Sequence, residues 1–231
     1  MTPILFLSGA GLPAWIWDEV RACLPVESVV AAYPKRVDAT LRDYVDTALT
    51  QAPDGVFTIV AHSIGGVVAS EIAATAPERI DRLLGIAASF PAAGTSFLAA
   101  LPAPQRIFTG LIMRLAGTRP PEKAIRSVLC AGLEEDDIAR VVADFEPESQ
   151  RLYRDRVSPR TFPTRTGYVE TTADPQLPAM LQRKSTAELG TGFYREMPTG
   201  HLPMLQAPAS LTALVEEFIA LPPAALGSSA R

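Results

Sequence analysis

Two histidines and two cysteines are all that 231 residues hold of the side chains that most often grip transition metals. His62 and His201 alone do not make a histidine-rich centre. Cys23 and Cys130 stand apart in apolar helical settings with no metal spacing, and read as reduced core thiols of a cytoplasmic protein. No metal and no other cofactor is expected. Basic charge is also short: 21 Lys and Arg against 25 Asp and Glu leave a net charge of -4, which gives no footprint for nucleic acid. No apolar run approaches the roughly 18 residues of a spanning helix. Nor does a charged n-region with a cleavage site precede the first strand, so no secretory leader is expected. There is no internal repeat. Charged residues are 20% against 48% hydrophobic, enough apolar surface for one sizeable domain and unlike a disordered chain.

What is present is an alternation of strand and helix. Ile4-Leu5-Phe6-Leu7, Glu27–Ala32, Gly55–Ala61 and Ile80–Ala88 read as strands. Helices are expected from Ala14 to Leu24, over Thr40–Thr50, where Leu41, Tyr44, Val45 and Ala48 share a face, and over Gly65–Ala76. This pattern predicts an α/β fold with a mostly parallel sheet covered on both faces. From Phe90 to Pro163 strand signals vanish and five proline-punctuated helical segments follow. We read residues 91–163 as a helical cap inserted into a body of residues 1–90 and 164–221. Phe97, Leu98, Ile107, Phe108, Leu111, Ile112 and Met113 are placed to line a pocket beneath it or to pack it on the body. Arginines 151, 154, 156, 160 and 165 read as a solvated face amid acidic neighbours, with an anionic substrate as the alternative. The sheet returns at Gly167–Thr172 and Phe193–Met197, a helix lies between them from Pro178 to Ala187, and Pro208–Leu221 closes the body. Residues 222–231 read as a frayed tail.

The chemistry centres on Val60-Ala61-His62-Ser63-Ile64-Gly65-Gly66. A buried strand ends in a serine with small residues two before and two after, and a helix starts at once. That is the context of a nucleophile elbow, in which the tight turn leaves no room for side chains at the flanking positions. An ordinary turn with an N-capping serine is the alternative. Two further reactive groups fall at strand ends, Asp174 and then His201. A serine hydroxyl attacks only when a base takes its proton, and His201 is the base available, since His62 precedes Ser63 and should point away from its Oγ. The imidazole needs a partner at its other nitrogen, which Asp174 supplies. Glu170 is the alternative acid, farther from its strand end. The order Ser63, Asp174, His201 is that of an α/β-hydrolase triad. The N–H of Ile64 and the N–H of Ala10, after the turn that Gly9 permits, are the candidate oxyanion hole. Trp15, Phe108, Leu111 and Leu202 are candidate pocket residues.

These motifs resemble the α/β-hydrolase superfamily, in particular small esterases related to plant methylesterases and hydroxynitrile lyases. The likeness rests on Ser8-Gly9-Ala10 with Trp15-Ile16-Trp17, His62-Ser63-Ile64-Gly65-Gly66, Thr171-Thr172-Ala173-Asp174 with Pro178 and Gln182, and Gly200-His201-Leu202-Pro203-Met204-Leu205 with Pro208. It covers residues 3–90 and 165–220. The resemblance implies a doubly wound sheet of about eight strands and cofactor-free catalysis. Three positions depart from the pattern: Ser8 replaces the usual histidine that supports the first loop, Ala61 replaces a glycine of the elbow, and Leu202 stands where hydroxynitrile lyases carry a lysine. The last favours cleavage of a small, fairly apolar carboxylic ester or lactone. A triad-based lyase, C–C hydrolase or cofactor-free haloperoxidase, and a ligand-binding protein on the same scaffold, are the alternatives. The partner expected is a small-molecule substrate, with no nucleic acid and no membrane span. Monomer and homodimer are both open.

Overall fold

A computed structural model describes residues 1–222 of the chain; of the stretch read as a tail, all but Pro222 lies outside the described residues. Six strands form a single sheet: β1 (Ile4–Leu7), β2 (Ser28–Val30), β3 (Phe57–His62), β4 (Ile80–Ile86), β5 (Thr166–Thr171) and β6 (Phe193–Met197). Their order is β2-β1-β3-β4-β5-β6 and every pairing is parallel. The fold class is as the strand–helix alternation predicts. The count is six rather than about eight, because the described residues contain only six strand-forming runs.

Side-chain alternation along the strands builds two cores. Leu5, Leu7, Phe57, Ile59 and Ala61 face one side, packed against α2 (Leu41–Gln51) and α3 (Gly65–Thr75). Ile4, Phe6, Val60, Leu84 and Ile86 face the other, where Trp17 and α1 (Asp18–Cys23) close the layer. Helix α2 starts with a reciprocal capping box: the Asp43 N–H donates to Thr40 Oγ1 (3.1 Å) and the Thr40 N–H to Asp43 Oδ2 (2.8 Å), a device worth about 1 kcal/mol. Cys23 ends α1 on its outer side and is exposed, unlike the buried Cys130; the inner face of that helix is carried by Val20.

Between β4 and β5 the regular structure is all helical: α4 (Phe97–Ala100), α5 (Ala103–Ala116), α6 (Glu122–Ala124) running into one π-turn (Ile125–Leu129), α7 (Glu135–Asp144) and α8 (Gln150–Arg154). Ile125, Leu129, Cys130, Val141 and Phe145 are sunk in one core of the sheet, and Leu152 and Val157 in the other. Helix α5 differs, with Met113 as its sole buried residue and Ile107, Phe108, Leu111 and Leu115 all more than half exposed. The arginines of this region are not one solvated face. Arg160 has a side chain only 2% exposed, pairs with Glu188 and stacks over Phe162 at 4.7 Å. After β5 come α9 (Ala179–Leu189), α10 (Pro203–Gln206) and α11 (Pro208–Ile219), the last packing Leu211, Val215 and Phe218 under the sheet.

The strand order places β1 between β2 and β3, so successive connections leave in opposite directions there. In open parallel sheets the crevice at the strand ends beside such a reversal is where ligands bind. The loop after β1 and the turn after β3 both open onto it.

Candidate active site

Ser63 follows β3 at once and has φ +53, a left-handed conformation that costs a non-glycine residue of order 1 kcal/mol or more and persists only where its surroundings enforce it. The enforcement is visible. The Ser63 N–H donates to Ile86 O (3.4 Å), and its carbonyl accepts from Gly66 (3.2 Å) and Ser89 (2.9 Å). A Cβ on Gly65 would lie 2.2 Å from Leu7 O, and one on Gly66 2.5 Å from Ser89 O. The backbone can make this turn only with glycine at both positions. Ala61 fits because its methyl group points into the core formed with α2 and α3.

His201 lies on the loop after β6, with Nε2 3.0 Å from Ser63 Oγ and Nδ1 2.7 Å from Asp174 Oδ2. A carboxylate only accepts, so Nδ1 carries the proton and Nε2 is left to accept from the serine hydroxyl. Asp174, on the turn after β5, also accepts at Oδ1 from the N–H groups of Gln176 (2.8 Å) and Leu177 (2.9 Å), and at Oδ2 from Thr171 Oγ1 (3.0 Å). Burial alone pushes this carboxyl up, but the His201 contact and the converging donors outweigh it and hold it below its ordinary range. Glu170 takes no part: it is buried and accepts from the Tyr194 hydroxyl at 2.7 Å.

The loop after β1 comes alongside. Ala10 and Ile64 both line the cavity above Ser63, and among the described residues neither backbone N–H has a hydrogen-bond acceptor. Ile64 sits at the N-terminus of α3, where no side chain caps the helix and the dipole favours negative charge. The first loop is held without the histidine of the resembling family. Ser8 Oγ accepts from the indole N–H of Trp17 (3.0 Å) and Ser8 O from the Tyr33 hydroxyl (3.0 Å). The neighbouring Gly11 carbonyl accepts from Glu146 N–H (3.1 Å), and its N–H donates to Glu148 (3.3 Å).

The cavity measures about 300 Å³ and runs from Ser63 and His201 up to the helical segment. Phe97, Phe108, Ile112 and Met113 line it. Leu98, which is buried in a separate cluster, and Ile107, which is exposed, do not, nor do Trp15, Leu111 and Leu202. Trp15 turns outward, donating from Nε1 to Asp144 (2.8 Å) beneath the Arg140 guanidinium. Leu111 is on the solvent side of α5. Leu202 is buried in the core against α11, because the chain folds into α10 directly after it. Phe145 and Tyr153, which no sequence motif marks, complete the walls, and His62 joins the site with Nε2 2.8 Å from His201 O. A histidine next to the serine was the available signal for the last.

Residues 4–214 match the model of the alpha/beta hydrolase family. A pimeloyl-[acyl-carrier protein] methyl ester esterase of Pectobacterium carotovorum subsp. carotovorum (strain PC1) is 34% identical over 96 residues, a match that spans 38% of this chain and 37% of that protein. Among solved structures, an extracellular alpha/beta-hydrolase from a Paenibacillus species, described as sharing structural and functional homology with tobacco salicylic acid binding protein 2, superposes with a TM-score of 0.83 at 18% identity, covering 94% of this chain and 98% of that one. A methylesterase from Arabidopsis gives 0.74 at 17% identity, covering 95% and 99%.

Proposed function

The chain belongs to the alpha/beta hydrolase family, and from that premise we propose that it is a serine hydrolase of small, fairly apolar carboxylic esters or lactones. The observation that carries this reading is the hydrogen-bonded line Asp174–His201–Ser63 ending in a mainly apolar cavity. His201 takes the Ser63 proton as Oγ attacks the carbonyl carbon. The N–H groups of Ala10 and Ile64 hold the oxyanion. His201 then gives the proton to the leaving alcohol, and water activated by the same imidazole releases the acid. Asp174 keeps His201 in the required tautomer throughout. In this scheme residues 91–163 act as the cap that shapes the acyl and alcohol sites.

Ester cleavage is preferred to cyanohydrin cleavage because, among the described residues, no lysine lines the cavity and Leu202 is buried away from it. The esterase named among the relatives points the same way. We place the protein in the cytoplasm, since an exposed unpaired Cys23 suits a reducing compartment; cell fractionation tests this.

The test of mechanism is intact-protein mass after treatment with a fluorophosphonate. One adduct on the wild type, absent from Ser63→Ala and slowed in His201→Ala, is expected. Folded wild-type protein that takes no adduct, or Ser63→Ala that hydrolyses a panel of simple esters at the wild-type rate, would remove the proposal.

A further inference from the structure

A second cavity, of about 250 Å³, lies beside the first. Phe97, Leu101, Leu177 and Leu181 form its apolar wall; the three leucines belong to a cluster apart from the two cores of the sheet, and Phe97 packs against both that cluster and the core that carries α2 and α3. The hollow opens to solvent beside Lys184 and Glu188, so an apolar group that covers this wall removes apolar surface from water, at about 25 cal/mol per Å².

Its position says which ligand. Phe97 lines both cavities, and of two successive residues on the Asp174 turn, Gln176 faces the first and Leu177 the second. Ser89 borders the second cavity and donates its N–H to Ser63 O at 2.9 Å. The Phe97 ring and the Gln176–Leu177 segment therefore border both spaces. That ring is only partly buried and rests edge-on against Tyr153, with centroids 5.8 Å apart. The lining also carries the exposed Lys184 and Glu188.

We infer that the second cavity is a distal subsite for the apolar chain of the substrate, with Phe97 as the movable wall between that subsite and Ser63. This rests on the reading of Ser63 as the nucleophile. The substrate class narrows accordingly, from small apolar esters in general to esters of linear chains too long for the first cavity alone. Each methylene that enters should tighten binding roughly fourfold.

Calorimetric titration with linear methyl ketones of increasing chain length, which mimic the ester and are not hydrolysed, tests the assignment on the intact protein. Wild type should gain affinity with every methylene well past the length that fills the first cavity. Ala100→Phe and Leu181→Phe, two independent ways of filling the second cavity, should leave short ketones unaffected and weaken the longest by tenfold or more. Phe97→Ala should bind long ketones at least as tightly as wild type. An unchanged chain-length profile in both filling variants, or a wild-type profile that stops rising once the first cavity is full, overturns the inference. Fluorophosphonate labelling of the same wild-type sample reports on Ser63 separately. A missing adduct with the expected ketone profile removes the chemistry and leaves the subsite, whereas an adduct with a flat profile removes the subsite alone.

Discussion

The ring of His62 and the backbone carbonyl of His201 are joined by a 2.8 Å hydrogen bond that spans 139 residues of sequence. A carbonyl only accepts, so Nε2 of His62 carries the proton, and Nδ1 is left without a partner among the described residues. The two rings lie 4.8 Å apart. His62 therefore ties the loop of the proposed base, His201, to the strand that ends at the proposed nucleophile, Ser63. His62→Phe leaves the His201 carbonyl buried and unpaired, at a cost of about 1–3 kcal/mol. A melting temperature lowered by about 2–4 °C per kcal/mol should accompany slower fluorophosphonate labelling. His62→Gln, whose amide N–H reaches a similar point, should recover most of both. Phe and Gln variants that behave alike would show that ring volume matters and the bond does not.

The same ring sets an acid limit. Burial, with His201 nearby, lowers the His62 pKa from its ordinary 6.5 to about 3. The folded protein thus keeps His62 neutral where the unfolded chain binds a proton, so this group's contribution falls as the pH drops from about 6.5 toward 3. The slope is at most about 1.4 kcal/mol per pH unit. His62→Gln lacks this slope, and its melting temperature should converge on that of wild type between pH 6.5 and 4.5. Parallel curves for the two proteins would refute the assignment.

Asp174→Asn should separate chemistry from stability. The amide oxygen can still accept from Gln176 and Leu177, so the turn after β5 should survive with little change in melting temperature. The amide N–H₂, however, donates to His201 Nδ1 and forces the other tautomer. Nε2 then carries a proton and no longer accepts from Ser63, a change expected to slow reaction at the serine by about 10⁴-fold. Labelling at half the wild-type rate would show that Asp174 does not set the tautomer.

Why some of this was legible in the sequence and some was not follows from what each feature depends on. Local rules determine the Ser63 turn: small residues at 61, 65 and 66 between an apolar strand and a helix leave few alternatives. Parallel strands buried on both faces read as unbroken apolar runs, and β1, β3 and β4 were found on that basis. The helix over Leu41–Gln51 was visible from its period alone, with Thr40 read as its first residue; the structure makes Thr40 its cap. Pocket membership is different, because it depends on how a helix is rotated when it docks. Phe108 and Leu111 are one turn apart on α5, yet only Phe108 lines the cavity. Trp15 carries a polar N–H that found Asp144, and Leu202 was drawn into the core by α10. Arg160 looks like a solvated arginine in sequence and is buried because Glu188, from a distant helix, meets it.

Gly65 and Ala61 occupy the two ends of the elbow pattern and should respond in opposite ways. A Cβ at Gly65 would meet the Leu7 and Ser8 carbonyl oxygens at 2.2 and 2.9 Å, backbone atoms of the neighbouring strand end that cannot move aside cheaply. Gly65→Ala should cost more than about 3 kcal/mol, beyond the usual range for one substitution, and should abolish labelling of Ser63. Ala61→Gly restores the glycine common in the resembling family but removes a buried methyl and loosens a strand, so a loss of about 1–2 kcal/mol is expected with labelling retained. Denaturant melts read both. A folded and reactive Gly65→Ala protein would mean that the turn has more room than these distances allow.

Glu148 offers the opposite sign of pH dependence from His62. Its carboxylate accepts from the Tyr44 hydroxyl at 2.8 Å and from Gly11 N–H at 3.3 Å, and so ties the segment after α7 to the loop that carries Ala10. Burial is the largest influence on it and raises its pKa above the ordinary 4.5, against the smaller opposing effect of those two donors. A carboxyl with a raised folded pKa contributes stability that is fully present below about 4.5 and is lost as the pH rises through the folded value. Gln at this position is neutral and keeps an oxygen for Gly11. Glu148→Gln should therefore match wild type near pH 4 and gain on it as the pH rises to 8, with labelling of Ser63 unchanged. Glu148→Ala frees the loop instead, and labelling should slow by about tenfold, an effect of roughly one lost hydrogen bond. If the Gln variant melts lower than wild type by the same margin at pH 4 and pH 8, the two hydrogen bonds outweigh the cost of burying the charge. The carboxylate would then be a net clamp on the loop at every pH.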